Sequence, residues 1–279
     1  MRAGSLWRRA YSSASSAVLQ RFHDVEIGAG KLIDYVAIEE RCIQMAGYKG
    51  QLILLCVRWY LVFTLSYRQL VRMLREQGWT VDHTSIFRWV QRYSPELASR
   101  CRSFLKPTNR SYRTDETYIK VKGQDRYLYR AVDSSGQTID FLLTAKRDKA
   151  SAKRFFRRAL RCLGNLSPRV INVDKNRAYP PAFQELKAEG VLSRRCHLRQ
   201  CRFLNNVVEQ DHRNVKRRMR LAMGYGSFRT ARRTIQGIEA MHLIGKGRVR
   251  RLPKHDVMAQ VRFIHKLFAL AAEPHQICP

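Results

Sequence analysis

Three carboxylates set far apart in the chain, Asp115, Asp174 and Glu209, are the residues with which this sequence could do chemistry. Carboxylates brought together repel and raise one another's pKa unless a divalent cation neutralises them, so converging acids argue for metal. An all-oxygen donor set favours magnesium, with manganese able to substitute. Two such ions about 3.5 to 4 Å apart activate an attacking hydroxyl and stabilise the leaving oxygen in phosphodiester displacement. Glu209 precedes a dense cationic run in NNVVEQDHRNVKRRMR, residues 205–220. On a helix, Glu209, Arg213 and Lys216 share one face, because four and seven residues are close to whole turns. Each acid also has a plainer reading: Glu209 paired with Arg213 on a solvated helix, Asp174 capping a turn, Asp115 a surface strand acid beside Glu116.

What weighs against the plainer readings is where the surrounding elements place the three acids. Arg113–Val121, Arg126–Val132 and Gln137–Thr144 are rich in Thr, Tyr, Ile, Val and Phe, with Lys122-Gly123 and Ser134-Ser135-Gly136 as turns between them. That pattern predicts a three-stranded antiparallel meander. Lys149–Cys162 reads as a helix ending near Gly164, and Arg169–Val173 as a short buried strand. Asp115 then lies in the first strand and Asp174 ends the next buried one, with 34 residues between Asp174 and Glu209. A meander, a crossover helix, a further strand and a late acidic helix predict an α/β, ribonuclease H-like mixed sheet with flanking helices. Asp133, Asp140 and Asp148 are read as structural, Asp133 being the first to re-examine because it ends the second strand.

Upstream the period is helical. LILLCVRWYLVFT, SYRQLVRMLREQG and DHTSIFRWVQRYSPEL follow one another, with Ser66 and Asp82 as caps and Gly78 as a stop. Three short helices with a tight connection suggest an all-α helix-turn-helix region. The last would present His83, Thr84, Ser85 and Arg88 to a DNA groove while Ile86, Phe87, Trp89 and Val90 pack. A helical bundle without DNA contact is the alternative. Lys106–Asn109 reads as a linker.

Composition narrows the partners. The 279 residues carry 53 Lys and Arg against 22 Asp and Glu, a net charge of +31, which is costly through self-repulsion unless a polyanion relieves it. Nucleic acid is the partner this implies. An anionic membrane would ask for a basic amphipathic helix or lipid motif, and the longest apolar run, Leu52–Phe63, is too short to span a bilayer and is broken by Arg58. Seven scattered cysteines form no disulfide framework and suit a reducing compartment. Cys196, His197, Cys201 and His212 match no zinc-finger spacing. Residues 1–44 are rich in Arg and Ser, with no acid before Asp24, and read as a transit-like leader or as translated upstream sequence before Met45.

Motifs along the chain carry a resemblance: DETYIKVKG at 115–123, YLYRAVDSSG at 127–136, INVDKNRAY at 171–179, FLNNVVEQDHR at 203–213, VKRRMR at 215–220, then GYGSF and IEAMHLIGKG. In order and spacing, from about Met45 to Arg248, the chain resembles the Asp-Asp-Glu transposases of bacterial insertion sequences, of the insertion-sequence family six type. The resemblance implies a helix-turn-helix region over 45–105, a ribonuclease H-like catalytic domain over 110–248, and a basic linker with a C-terminal helix, Val257–Ala272, over 249–279. Residues 1–44 have no counterpart in it. The family's catalytic, metal-holding acids carry over onto Asp115, Asp174 and Glu209, and its following basic residue onto Lys216. Implied too are two magnesium ions, cleavage at terminal inverted repeats of double-stranded DNA, and attack of the freed 3′ hydroxyl on target DNA. Arg213, Arg217 and Arg218 would extend the phosphate track from Lys216. A homodimer or larger assembly on paired ends and a bacterial cytoplasmic, nucleoid-associated location follow from the same resemblance. Phe203 stands where the family often has Tyr. The alternative at this point is a catalytically silent or domesticated DNA-binding protein of the same family.

Overall fold

The sheet starts from a two-residue hairpin, and its turn explains its register. The structure, a computed structural model, describes residues 48–161, 165–201, 208, 212–213, 215–217 and 224–270; Glu209 and Arg218 lie outside them. Lys122 and Gly123 both take positive φ, 50° and 74°. Two such residues in a row make the turn whose twist matches paired strands. It joins β1 (Ser111–Val121) to β2 (Gln124–Asp133), with Val121 opposite Gln124 and Asp115 opposite Arg130. β3 (Thr138–Thr144) returns antiparallel to β2.

Asp133 shapes that second turn. Its carboxylate accepts hydrogen bonds from the backbone N–H groups of Asn109, Ser135 and Gln137. A carboxylate occupied by three amides is a turn organiser, and this settles its structural role.

α4 (Lys149–Arg161) then crosses over to β4 (Val170–Val173), which pairs parallel to β1 on the side away from β2. α5 (Tyr179–Ala188) leads to β5 (His197–Gln200), parallel to β4. The resulting order, β3-β2-β1-β4-β5, three strands antiparallel and two added in parallel, is the ribonuclease H-like arrangement. α4 and α5 cover one face, burying Phe155, Phe156, Tyr179 and Phe183 against Tyr112, Tyr129, Ala131, Ile171 and Val173. On the other face Arg130 of β2 is fully buried against Glu239 of α6 (Phe228–Gly245).

Three helices precede the sheet. α1 (Gly50–Val62) is largely buried, and α2 (Tyr67–Glu76) opens on a reciprocal cap between Ser66 and Gln69. α3 (His83–Cys101) opens on Asp82 and runs straight through Pro95, seven residues past the expected end near Leu97 when the short 3-10 turn Arg102–Phe104 is included. Packing overrides the proline here. A Cβ at Gly237 of α6 would meet the Ser94 side chain at 2.6 Å, so the two helices pack closely beside Pro95.

Two stretches read as linkers are instead stitched in. Lys106 donates its backbone N–H to Arg248 and its ammonium to Gly247, while Thr108 is buried. Leu105 bridges Val249, so the chain entering the sheet and the chain leaving α6 run together. α7 (Val257–Leu267) closes the described chain, shorter than the expected helix, with Phe268 buried and Ala269 turned to φ 54°. No helix among the described residues is long and apolar enough to cross a membrane.

Candidate active site

Asp115 comes from the middle of β1, and Asp174 follows directly on Val173, the last residue of β4. Because β1 and β4 are parallel neighbours, a residue in one and a residue just past the other can face the same point. Oxygen atoms of Asp115, Glu116 and Asp174 all lie within 4.8 Å of one another, the one metal-competent group among the described residues. Three hard oxygen donors with no nitrogen or sulfur fit a hard divalent cation. Cys196 and Cys201, by contrast, join no such group.

Glu116 is the surprise of the cluster. Its side chain is 2% exposed, and it accepts hydrogen bonds from Arg147, from Asn176 Nδ2 at 2.8 Å and from the Tyr179 hydroxyl. Asp174 gives one oxygen to the backbone N–H of Asn176 at 3.0 Å, closing the turn into α5, and the other to Arg147 at 3.4 Å. Arg147 thus spans two of the three acids. Burial works against its charge, but Glu116 and Asp174 leave its pKa raised. Burial, and then the charge of Glu116, push the Tyr179 phenol well above its usual value. Tyr129 is raised by the same two causes in the same order. Both phenols therefore stay neutral, and Tyr179 donates its hydroxyl to Glu116.

Helical residues 208, 212–213 and 215–217 bring a further side chain to Asp115. Val208, His212 and Val215 are buried and Arg213, Lys216 and Lys216's neighbour Arg217 exposed, which is the separation a helix in this register gives. His212 Nε2 lies 3.8 Å from Asp115 Oδ2. Of the expected site residues, then, Asp115 and Asp174 come together, Arg213, Lys216 and Arg217 face outward nearby in sequence, and Glu209 and Arg218 lie outside the described residues.

The expected groove-reading residues sit at the start of α3. His83, Thr84 and Arg88 are exposed and Ser85 half-buried. Thr84 and Ser85 both spend their hydroxyls on Asp82, whose carboxylate also caps their backbone N–H groups. Those bonds, Thr84's first, hold the Asp82 carboxyl well below its usual range. Phe87 corrects the packing expectation: it is 38% exposed, its ring edge-on to Tyr67, while Ile86, Trp89 and Val90 are buried.

Arg147 has no signal in the sequence, Glu116 enters there only as the neighbour of Asp115, and His212 only among side chains that match no zinc-finger spacing. Successive strand residues point to opposite faces, which hides from the sequence that Glu116 and Asp115 serve one cluster. His212 carried a usable signal, lying three residues from Val215 and four from Val208 on the apolar stripe.

A family model described as a DDE domain matches residues 109–248. The transposase for insertion sequence-like element IS431mec of Staphylococcus aureus is 37% identical over 216 residues, 75% of this chain and 94% of that protein. The chain belongs to the DDE-domain transposases of insertion sequences. A second family member, the Staphylococcus aureus transposase for insertion sequence element IS257 in transposon Tn4003, is 36% identical over the same length and shares. Among solved structures, the HTLV-2 integrase catalytic core domain in complex with magnesium overlaps 53% of this transposase and 98% of its own chain, at 18% identity and a TM-score of 0.38. The simian T-cell lymphotropic virus intasome structure overlaps 63% and 58%, at 17% and 0.39. The fold of this family member rests on its own strand order and directions.

Proposed function

We propose that this transposase binds the terminal inverted repeats of an insertion sequence, cuts a DNA strand there, and joins the freed 3′ hydroxyl to target DNA. The observation that carries the reading is the meeting of Asp115 and Asp174, with Glu116, within 4.8 Å at the parallel edge of β1 and β4. Asp115, Asp174 and Glu209 are the catalytic acids in this reading, and they would hold magnesium, with manganese able to substitute and two ions as the full set. When bound, such ions activate a hydroxyl and stabilise the leaving oxygen of a phosphodiester. The protein's own residues do the rest. Asp115 and Asp174 fix the place of attack from β1 and from the residue that follows β4, and Glu116 holds Arg147, Asn176 and Tyr179 around them. Lys216 and Arg213, with Arg217 and Arg218, neutralise and orient backbone phosphate. His83, Thr84, Ser85 and Arg88 contact the repeat from the start of α3, with Thr84 and Ser85 first releasing Asp82.

The same reading divides the chain into a helix-turn-helix region over 45–105, a catalytic domain over 110–248 and a closing basic segment and helix over 249–279. It asks for a homodimer or larger on paired ends, in the bacterial cytoplasm. The test is magnesium-dependent cleavage and strand transfer on a terminal-repeat duplex by the full chain, beside Asp115→Ala and Glu209→Ala. Activity lost in both variants with duplex binding retained supports the reading. A wild-type chain that binds the repeat and never cuts under magnesium or manganese overturns it.

A further inference from the structure

A cleft of about 440 Å³ on the outer side of α4 is lined by five arginines and by no other residue: Arg102, Arg154, Arg157, Arg158 and Arg161. Like charges crowd together at a cost unless something compensates them. Two carboxylates reach this group. Asp140, 3% exposed, takes Arg158 at 2.9 Å and Arg102 at 3.4 Å, and Glu189 takes Arg157 while also serving Lys153. That leaves Arg154 and Arg161 with no ion pair among the described residues, although Arg154 is near enough to Asp148 for the carboxylate to feel its charge. The heads are also held in place: Arg158 lies over the Phe141 ring at 5.3 Å and Arg154 reaches Ser151 Oγ at 3.4 Å. Fixed, planar, multiply donating heads suit phosphate oxygens better than a diffuse cloud of lysines does.

The direction of α4 gives the cleft its setting. The helix starts two residues after Arg147, which touches Glu116 and Asp174, and Arg154, Arg158 and Arg161 recur at the spacing of one helix face. Arg161 is then about 20 Å from Arg147 at about 1.5 Å per residue, close to six base pairs of B-form DNA. We propose that this arginine cleft is a sequence-independent DNA site, gripping backbone phosphates of the duplex that runs on beyond the carboxylates. The proposal rests on the DNA-joining reading above for its partner, and it assigns residues other than those at the start of α3 and other than Arg213, Lys216 and Arg217.

The test is duplex binding by the full chain without divalent metal, so that its outcome is independent of cutting. Arg154→Gln with Arg161→Gln removes the two exposed heads that hold no carboxylate among the described residues, leaving Asp140 its partners. Affinity for a random-sequence duplex is measured against salt concentration. The expected result is a slope smaller by about two, at about 0.9 per phosphate contact. Arg154→Lys with Arg161→Lys keeps the slope, and Arg194→Gln with Arg195→Gln, exposed arginines that do not line the cleft, changes it less. A loss seen on random duplex assigns the cleft to target DNA; a loss growing with flank length on repeat duplex assigns it to flanking DNA. An unchanged slope, or an equal fall in the Arg194 and Arg195 control, overturns the proposal.

Discussion

Glu116 should separate a positioning carboxylate from a replaceable one, and the two substitutions that test it differ by a calculable amount. Glu116→Gln keeps an oxygen for Asn176 and Arg147 and offers an amide N–H to the Tyr179 hydroxyl, so every contact has a geometric substitute. Only the charge is lost. A hydrogen bond to a charged group is worth about 1.5–3 kcal/mol and a neutral one about 0.5–1.5, so the change costs about 1–2 kcal/mol. Glu116→Ala removes all three partners at once and leaves the buried Tyr179 hydroxyl with no acceptor there. An unsatisfied buried group costs about 1–3 kcal/mol by itself, and with Asn176 and Arg147 released the total should reach about 3–5 kcal/mol. Equilibrium urea unfolding at neutral pH, followed by circular dichroism, reads both. Equal losses for the two variants, or an alanine variant as stable as wild type, would refute the hydrogen-bonding role assigned here.

Other expectations are narrower. The Arg130–Glu239 pair is 0% and 2% exposed, so Glu239→Ala should cost about 3–5 kcal/mol in the same unfolding experiment, and Arg130→Met with Glu239→Leu should recover most of it. Burial pushes the Cys56 and Cys101 thiols up to about 12 and the Cys196 thiol up to about 11. In the native protein at pH 8, peptide mapping after alkylation should therefore find Cys201, the half-buried one of the four described cysteines, modified well before those three. Lys149 and Lys153 hold the Glu185 carboxyl at about 2. A depressed carboxylate stabilises above its unfolded pKa of about 4.3 and loses that contribution as pH falls towards its folded value. The melting temperature of Glu185→Gln should thus converge on that of wild type between about pH 4 and pH 2, and parallel curves across that window would contradict the pairing.

Much of the sheet was legible because its signals are local. The Lys122-Gly123 turn, the alternation of β1 and the apolar run before Asp174 each declare themselves within a few residues, and the observed strands start or stop within two residues of the expected ones. β5 was not assigned bounds, since His197–Gln200 is four mostly polar residues whose strand character comes from pairing with β4. The same holds for α3 at Pro95, where Gly237 from a distant helix decides the outcome, and for Lys106–Asn109, whose composition says linker while Arg248, Gly247 and Asp133 hold it fast. In the site, Asp115 and Asp174 could be read from strand position. Arg147 could not, because it reaches two carboxylates from the short connection between β3 and α4, which carries no periodicity of its own.

The most direct measurement places sulfur at the phosphate to be cut. Replacing a non-bridging oxygen of the scissile phosphate in a terminal-repeat duplex weakens its hold on magnesium far more than on the softer manganese. If the acids Asp115, Asp174 and Glu209 hold cations against that phosphate, cleavage of the sulfur-bearing strand is slow under magnesium and recovers under manganese. A sulfur effect of the same size under both ions, with the oxygen strand cut normally, would contradict metal held by these carboxylates at the reacting phosphate.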